Sequence, residues 1–250
     1  MAKSVVQQQF GATAAHYLTS APHAQGQSLT RLVERLRPQP AWQVLDVATG
    51  AGHTAYALAP HVARVWASDI TAEMLALVRQ EIVRRQLTNV GTLYAKAELL
   101  PLRDQVFDLV TCRIAPHHFD SIPAFLEESR RVLKADGRLG IVDNVVPPGA
   151  VGDYINAFER LRDPSHLRAW TMEQWQAALA QCGFAVVHHE MLAKSMAFDS
   201  WASRHDATMQ ALLRAMLSET SSAVKEVLAP TAAGALGFQL WEGLFIAERR

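Results

Sequence analysis

The chain has 250 residues, with 24 Lys and Arg against 24 Asp and Glu, 50% hydrophobic residues and 19% charged ones. That length is near the upper end for one domain and fits a single α/β unit with a small lid. Zero formal net charge argues against a nucleic-acid surface, which needs Lys and Arg in excess on one face, and excludes an acidic tail.

The first nine residues contain no apolar run of signal-peptide length. Short β-branched runs then alternate with longer amphipathic ones, the pattern of a mostly parallel sheet with helices on both faces. Strands are expected at Gln43–Ala48, Arg64–Ser68, Val90–Ala95, Phe107–Arg113 and Arg138–Asn144. Between them, Thr71–Leu87 places Met74, Leu75, Val78, Ile82 and Val83 on one helical stripe, with Thr71 as N-cap. Ile122–Lys134 does the same with Phe125, Leu126 and Leu133, and stops at Gly137. After Pro147-Pro148-Gly149 the expected elements are helices at Tyr154–Leu161 and Thr171–Gln181 and a strand at Ala185–Met191. A helical stretch over Ser200–Leu228 and a closing strand at Phe238–Ala247 complete the chain. Seven strands result, the last antiparallel. No run of eighteen apolar residues occurs, so no membrane span is encoded. Cys112 and Cys182, seventy positions apart in apolar stretches, fit reduced core thiols better than a disulfide or zinc site; the cytoplasm is the expected address, and no metal is expected.

The stretch Val44-Leu45-Asp46-Val47-Ala48-Thr49-Gly50-Ala51-Gly52-His53-Thr54 is a strand running into small residues and then a helix. Small residues let the backbone approach a ligand, and a helix N-terminus offers N–H groups to its polar atoms. Asp69 closes the next strand, twenty-three positions after Asp46, where a carboxylate can accept both hydroxyls of a ribose. The loop also satisfies the degenerate dinucleotide pattern, so a nicotinamide oxidoreductase competes. That reading leaves Asp46 unexplained, whereas an aminoacyl ligand explains it: Asp46 orders the loop and accepts, directly or through water, from an ammonium group.

On these residues the sequence resembles the class I S-adenosylmethionine-dependent methyltransferases, of the small-molecule group that contains the ubiquinone/menaquinone C-methyltransferases. The likeness runs from about Phe10 to Gly149 and more loosely beyond. Asp69-Ile70 resembles the ribose acid and the neighbour that packs on adenine, with Met74 one helical turn on. Ala97-Glu98-Leu99-Leu100-Pro101-Leu102 before Phe107-Asp108 resembles the adenine-side motif, and Leu133–Leu139 the turn into the fifth strand. Two positions depart from the pattern: Ala48 stands where a glycine is usual, and Lys96 where an acid is common. The resemblance implies a Rossmann-like, seven-stranded, mostly parallel sheet with a helical lid, S-adenosyl-L-methionine as cofactor, and methyl transfer to a small molecule. It implies cofactor contacts from Tyr17, Asp46, Ala48, Thr49, Gly50, Gly52, Asp69, Ile70, Met74, Ala97, Glu98 and Arg113. It also implies one domain, with residues 1–40 as a helical cover, 41–149 as the cofactor core, and 150–182 and 196–232 as lid and substrate elements. A non-catalytic S-adenosylmethionine-binding protein is the remaining alternative; no nucleic-acid partner is expected, and a homodimer is left open.

In such sheets the ligand crevice lies outside the carboxyl ends of the strands. Strand four leads into Arg113-Ile114-Ala115-Pro116-His117-His118, and strand five ends in Asp143-Asn144. His117 and His118 are therefore the candidate bases, with Asp143 as the alternate. Tyr154, His166 and Trp201 are the candidate acceptor contacts. The Trp, Phe, Met and Leu content of the lid, including Trp201 and Met209, points to a largely apolar acceptor.

Overall fold

A computed structural model describes Gln7, residues 26–231 and residues 235–250. Tyr17 and the rest of the expected cover before Gly26, Gln7 apart, lie outside the described residues. The elements in chain order begin with α1 (Gln27–Leu36), β1 (Gln43–Val47), α2 (His53–Leu58), β2 (Arg64–Asp69), α3 (Ala72–Arg84) and β3 (Val90–Tyr94). Next come β4 (Phe107–Arg113), α4 (Ile122–Val132), β5 (Leu133–Val145), α5 (Ala150–Arg162), α6 (Met172–Gln181) and β6 (Phe184–Ala197). The last are α7 (Phe198–Ala202), α8 (Ala207–Ser218), α9 (Ser222–Leu228) and β7 (Gly237–Arg249).

All seven strands form one sheet in the order β3-β2-β1-β4-β5-β7-β6. The first five are parallel, and β7 runs antiparallel to both of its neighbours. Chain order reverses between β1 and β4, and that switch point opens a crevice at their carboxyl ends.

Strand alternation divides the core. Leu45, Val47, Val110 and Cys112 face one side, against Phe125, Leu126, Trp175 and Leu179 of α4 and α6. Val44, Leu109 and Val65 face the other, against Leu32, Leu36, Ala55 and Val78 of α1, α2 and α3. A third cluster is the lid's own: Phe158, Phe198, Trp201, Leu213, Leu217 and Phe238. There the Trp201 ring stacks on Phe158 with centroids 4.8 Å apart and meets Phe238 edge-on at 5.0 Å.

Several element boundaries differ from expectation for local reasons. Thr71 occupies the N-cap of α3 but makes no side-chain bond to the helix; its backbone N–H donates to Asp69 instead. α4 ends at Val132 rather than Lys134, because Leu133 already pairs with Phe107 of β4. Gly137 is consequently inside β5, beside a register shift, and does not cap the helix. The single helical stretch expected over Ser200–Leu228 is three helices, with Asp206 and Ser221 capping α8 and α9. β6 is twice as long as read, reaching Ala197, because it pairs with β7 along that whole length. No helix among the described residues is long and apolar enough to cross a membrane.

Candidate active site

A cavity of about 1120 Å3 lies over the carboxyl ends of β1, β2 and β4 and continues beneath α5, α7 and the end of β6. It exceeds the usual size of a pocket for one drug-sized ligand.

At one end, Asp46 is a carboxylate inside an otherwise apolar strand, 1% exposed. Its register partner on β4 is Thr111, whose hydroxyl donates to it at 2.7 Å, and Thr49 of the loop donates at 2.6 Å. Burial pushes its pKa up to about 6, against the pull of these two hydroxyls and of Arg113. The loop after it turns through left-handed backbone at Ala48 (φ 51°), Gly50 (φ 54°) and Gly52 (φ 88°). The usual glycine at the Ala48 position thus has a physical reason, and alanine there carries strain. A Cβ on Gly50 would meet nothing within 4 Å, so this backbone borders open space, whereas one on Gly52 would run into the Tyr56 ring.

Asp69 fixes the other side of the loop. One oxygen accepts from the Gly50 N–H at 2.9 Å and the other from Thr71 N–H at 2.8 Å, and the carboxylate lines the cavity. Ile70, Met74, Ala97 and Glu98 continue the wall. Gln7, from the N-terminal stretch, donates to the Ile70 carbonyl and the Tyr94 hydroxyl. At the departure noted in the sequence, Lys96 is paired with Asp120 at 2.7 Å and approaches Glu98 at 3.9 Å. Asp120, which sequence reasoning missed, brings a carboxylate to the cavity edge beside the position where the family's acid is common.

Toward the middle, β4 ends at Arg113, a cavity residue whose Nε donates to Thr54. Ile114 follows with φ 53°, its N–H on the Val142 carbonyl at 2.7 Å. A β-branched residue in that region is strained, and here the strain turns the chain out of the sheet over the crevice. The next turn presents His117 and His118.

His117 is 5% exposed, and its Nδ1 lies 2.5 Å from Oδ1 of Asp143, on neighbouring β5. Burial pushes the imidazole down to about 3 and the Asp143 carboxyl well above its ordinary range. Burial thus disfavours the charged form of both groups, the Nδ1–Oδ1 contact carries a proton, and Nε2 has no hydrogen-bond partner among the described residues. His118 donates from Nδ1 to the Ser165 carbonyl at 2.9 Å, and burial holds it near about 4. His166 donates from Nε2 to Oδ1 of Asn156 at 2.9 Å, an oxygen that also accepts from Ala169 N–H, and is pushed down to about 2. The three rings gather with centroids 4.1, 5.2 and 6.4 Å apart. No group of three or more His, Cys, Asp or Glu among the described residues has the arrangement of a metal site.

Most of the expected contacts meet in this cavity, including His166 and Trp201. Others are placed elsewhere. Asp143 is fully buried behind His117, outside the wall, so it reaches the cavity only through that ring. Gly52 is also outside the wall, turned toward Tyr56. Tyr154 packs in the lid core with its hydroxyl on the Met216 carbonyl at 2.7 Å, and Met209 joins the same cluster.

The apolar lid residues thus face mainly one another. The cavity beneath them receives Asn144, Glu159, Arg162, Asp163, Lys194 and Arg204 beside Met196, Ala197, Trp201 and Leu240, so its acceptor end carries charged as well as apolar side chains. Lys194 shares strand parity with buried Leu192; a lysine on an inward face was the available signal, hidden while β6 was read as ending at Met191.

Comparison with known proteins agrees with this geometry. A family model described as a methyltransferase domain matches residues 45–141. The uncharacterized methyltransferase YcgJ of Bacillus subtilis is 35% identical over 78% of this chain and 78% of its own. The crystal structure of that protein superposes with a TM-score of 0.83, at 31% identity, over 89% of this chain and 98% of the other. The ubiquinone/menaquinone biosynthesis C-methyltransferase UbiE of Paraburkholderia phymatum is 34% identical over 42% of this chain and 44% of its own. The nicotinamide reading of the glycine loop falls away, and the chain belongs to the class I S-adenosylmethionine-dependent methyltransferases, with a type 11 methyltransferase domain.

Proposed function

We propose that the protein transfers a methyl group from S-adenosyl-L-methionine to a small-molecule acceptor, with His117 as general base. The observation that carries this reading is the buried His117–Asp143 pair, at 2.5 Å, on the same cavity as Asp46, Asp69 and the glycine loop.

The residues present fit the cofactor. Gly50 leaves open space beside left-handed backbone, and the Asp69 carboxylate lines the cavity next to it, where a ribose would lie. Asp46, with Thr49 and Arg113, forms a polar end for an aminoacyl group, while Ile70, Met74 and Ala97 form an apolar slot beside Glu98 for a purine. When bound, the cofactor supplies an electrophilic sulfonium methyl.

The protein then has to align an acceptor with that methyl and exclude water, an arrangement worth on the order of 7–11 kcal/mol of barrier in well-oriented reactions. The neutral His117 ring offers Nε2 to the acceptor's proton. The bound cofactor would supply the methyl and keep the carbon–sulfur electron pair, and His117 would take the proton that the acceptor atom gives up. Asp143 fixes the tautomer by accepting from Nδ1 and compensates the charge that forms. Gln7, on the Ile70 carbonyl, is consistent with an N-terminal cover over the cofactor.

The test is a panel of quinols, phenols, small amines and hydroxy acids, scored by release of S-adenosylhomocysteine. Turnover with at least one acceptor is expected. Tight cofactor binding with no turnover across the panel would favour the non-catalytic binding protein.

A further inference from the structure

Polar side chains around the acceptor end of the cavity are completed by neighbours, with two exceptions that face the same space. Asn156 and Glu159 lie three positions apart on the buried face of α5, and Asp163 follows just past its end. Oδ1 of Asn156 accepts from His166 Nε2 at 2.9 Å and from Ala169 N–H at 2.7 Å. Oδ1 of Asp163 accepts from the Ser165 N–H at 3.0 Å and the Ser165 hydroxyl at 2.6 Å. Oε1 of Glu159, between these two residues in the chain, is buried with no hydrogen-bond partner among the described residues. Burial favours the neutral form of Glu159 and the charges of Arg162, Lys194 and Arg204 favour the ionised one, but none of this gives Oε1 a donor.

The strand side repeats the contrast. Asn144 of β5 is the register partner of Glu242 on β7. Glu242 is met by Lys194 of β6 at 3.0 Å, whereas Oδ1 of Asn144 is buried with no hydrogen-bond partner among the described residues. Glu159 and Asn144 are each 8% exposed, and both line the cavity. A buried acceptor without a donor forfeits the hydrogen bonds that water gives it in the unfolded chain, and a ligand that brings an O–H or N–H group restores them. Asn144 also follows Asp143, the partner of His117, so one of the unmet acceptors adjoins in the chain the pair that takes the proton.

Resting on the methyltransferase reading above, we propose that the methyl acceptor carries at least one O–H or uncharged N–H group besides the proton it gives to His117, and that Glu159 and Asn144 receive it and make the site selective for it. An ammonium is the poorer fit, because Arg162, Lys194 and Arg204 already supply positive charge around Glu159. A site built to receive a hydroxyl turns away the analogue that lacks it, since the protein's own polar atoms then stay unpaired.

The test is calorimetry on the full chain, first with S-adenosylhomocysteine alone, then with the loaded protein and a set of small phenols. Catechol, resorcinol and hydroquinone are each compared with the fluorophenol in which fluorine replaces one hydroxyl at nearly the same size, and with the corresponding aminophenol. At least one diol or aminophenol is expected to bind about tenfold or more tightly than its fluorophenol. Glu159→Leu and Asn144→Leu should each reduce that preference without changing S-adenosylhomocysteine affinity, and Glu159→Gln, which keeps an acceptor oxygen, should retain part of it; this separates hydrogen bonding from misfolding. Tighter binding of the diol assigns an O–H group, and of the aminophenol an N–H group. No preference of any diol or aminophenol over its fluorophenol, no binding of any probe at millimolar concentration, or a preference unchanged in the Leu variants overturns the proposal and leaves the methyltransferase reading standing. Failure of S-adenosylhomocysteine itself to bind overturns both.

Discussion

The two ends of the cavity are built by different means. The end around Asp46 and Asp69 is made of contiguous segments: a strand, a five-residue loop and the tip of the next strand, tied by hydrogen bonds such as Gly50 N–H to the Asp69 carboxylate. The acceptor end is assembled from α5, the loop through His166, the far end of β6 and the residues after α7, brought together by packing over long sequence separations. Local chemistry thus specifies the common reagent, and tertiary packing specifies what it is used on.

Between the two ends stand His117 and Asp143, and the sharpest break in the comparison is expected there. His117→Ala should lower turnover by about 10²–10⁴-fold on the acceptor found in the panel, with calorimetric S-adenosylhomocysteine affinity unchanged. Asp143→Asn should reproduce most of that loss, because an amide donating to Nδ1 moves the ring proton to Nε2. Equal loss of cofactor affinity in either variant would assign the pair to the cofactor end. Next in size, Asp69→Ala should weaken S-adenosylhomocysteine binding at least tenfold, about 1.4 kcal/mol; an unchanged dissociation constant removes the ribose role.

A subtler effect separates the ends by pH. The ordinary imidazole value is 6.5, and burial puts folded His166 near about 2. Below 6.5 the unfolded chain therefore takes up a proton that the folded one refuses, and this contribution destabilises the fold as pH falls. His166→Gln removes it, so the wild type should lose about 1.4 kcal/mol per pH unit relative to the variant between pH 6 and 4, read from urea unfolding. A constant difference over that range would mean that the ring is protonated in the fold. The smallest expected effect is at the cofactor end: Ala48→Gly should gain about 1 kcal/mol by relieving left-handed strain at φ 51°. A loss would show that the alanine methyl contributes more in packing than its backbone costs.

Legibility in the sequence follows the same division. The five parallel strands were readable because a strand buried on both faces is a short continuous apolar run, and Asp46 and Asp69 stood out as acids at the ends of such runs. His117 and His118 were placed by topology, since everything after β4 must emerge over the crevice. His166 was singled out and does meet them, although its partner Asn156 was not. Glu159, Lys194 and Arg204 were not legible, because a charged residue on a helix or strand reads as solvent-facing until the element covering it is known. The lid aromatics have a use that composition does not reveal: most of their apolar mass holds α5, α7, α8 and α9 together. What Trp201 shows the cavity is only the part of its ring that Phe158 and Phe238 leave uncovered.

The carbonyl of His117 accepts two backbone hydrogen bonds, from Leu167 at 2.9 Å and Arg168 at 3.2 Å. The turn that carries His117 is thereby stitched to the segment that carries His166 into the cavity, so two of the three gathered rings belong to one hydrogen-bonded unit and a substitution that shifts either turn shifts the other.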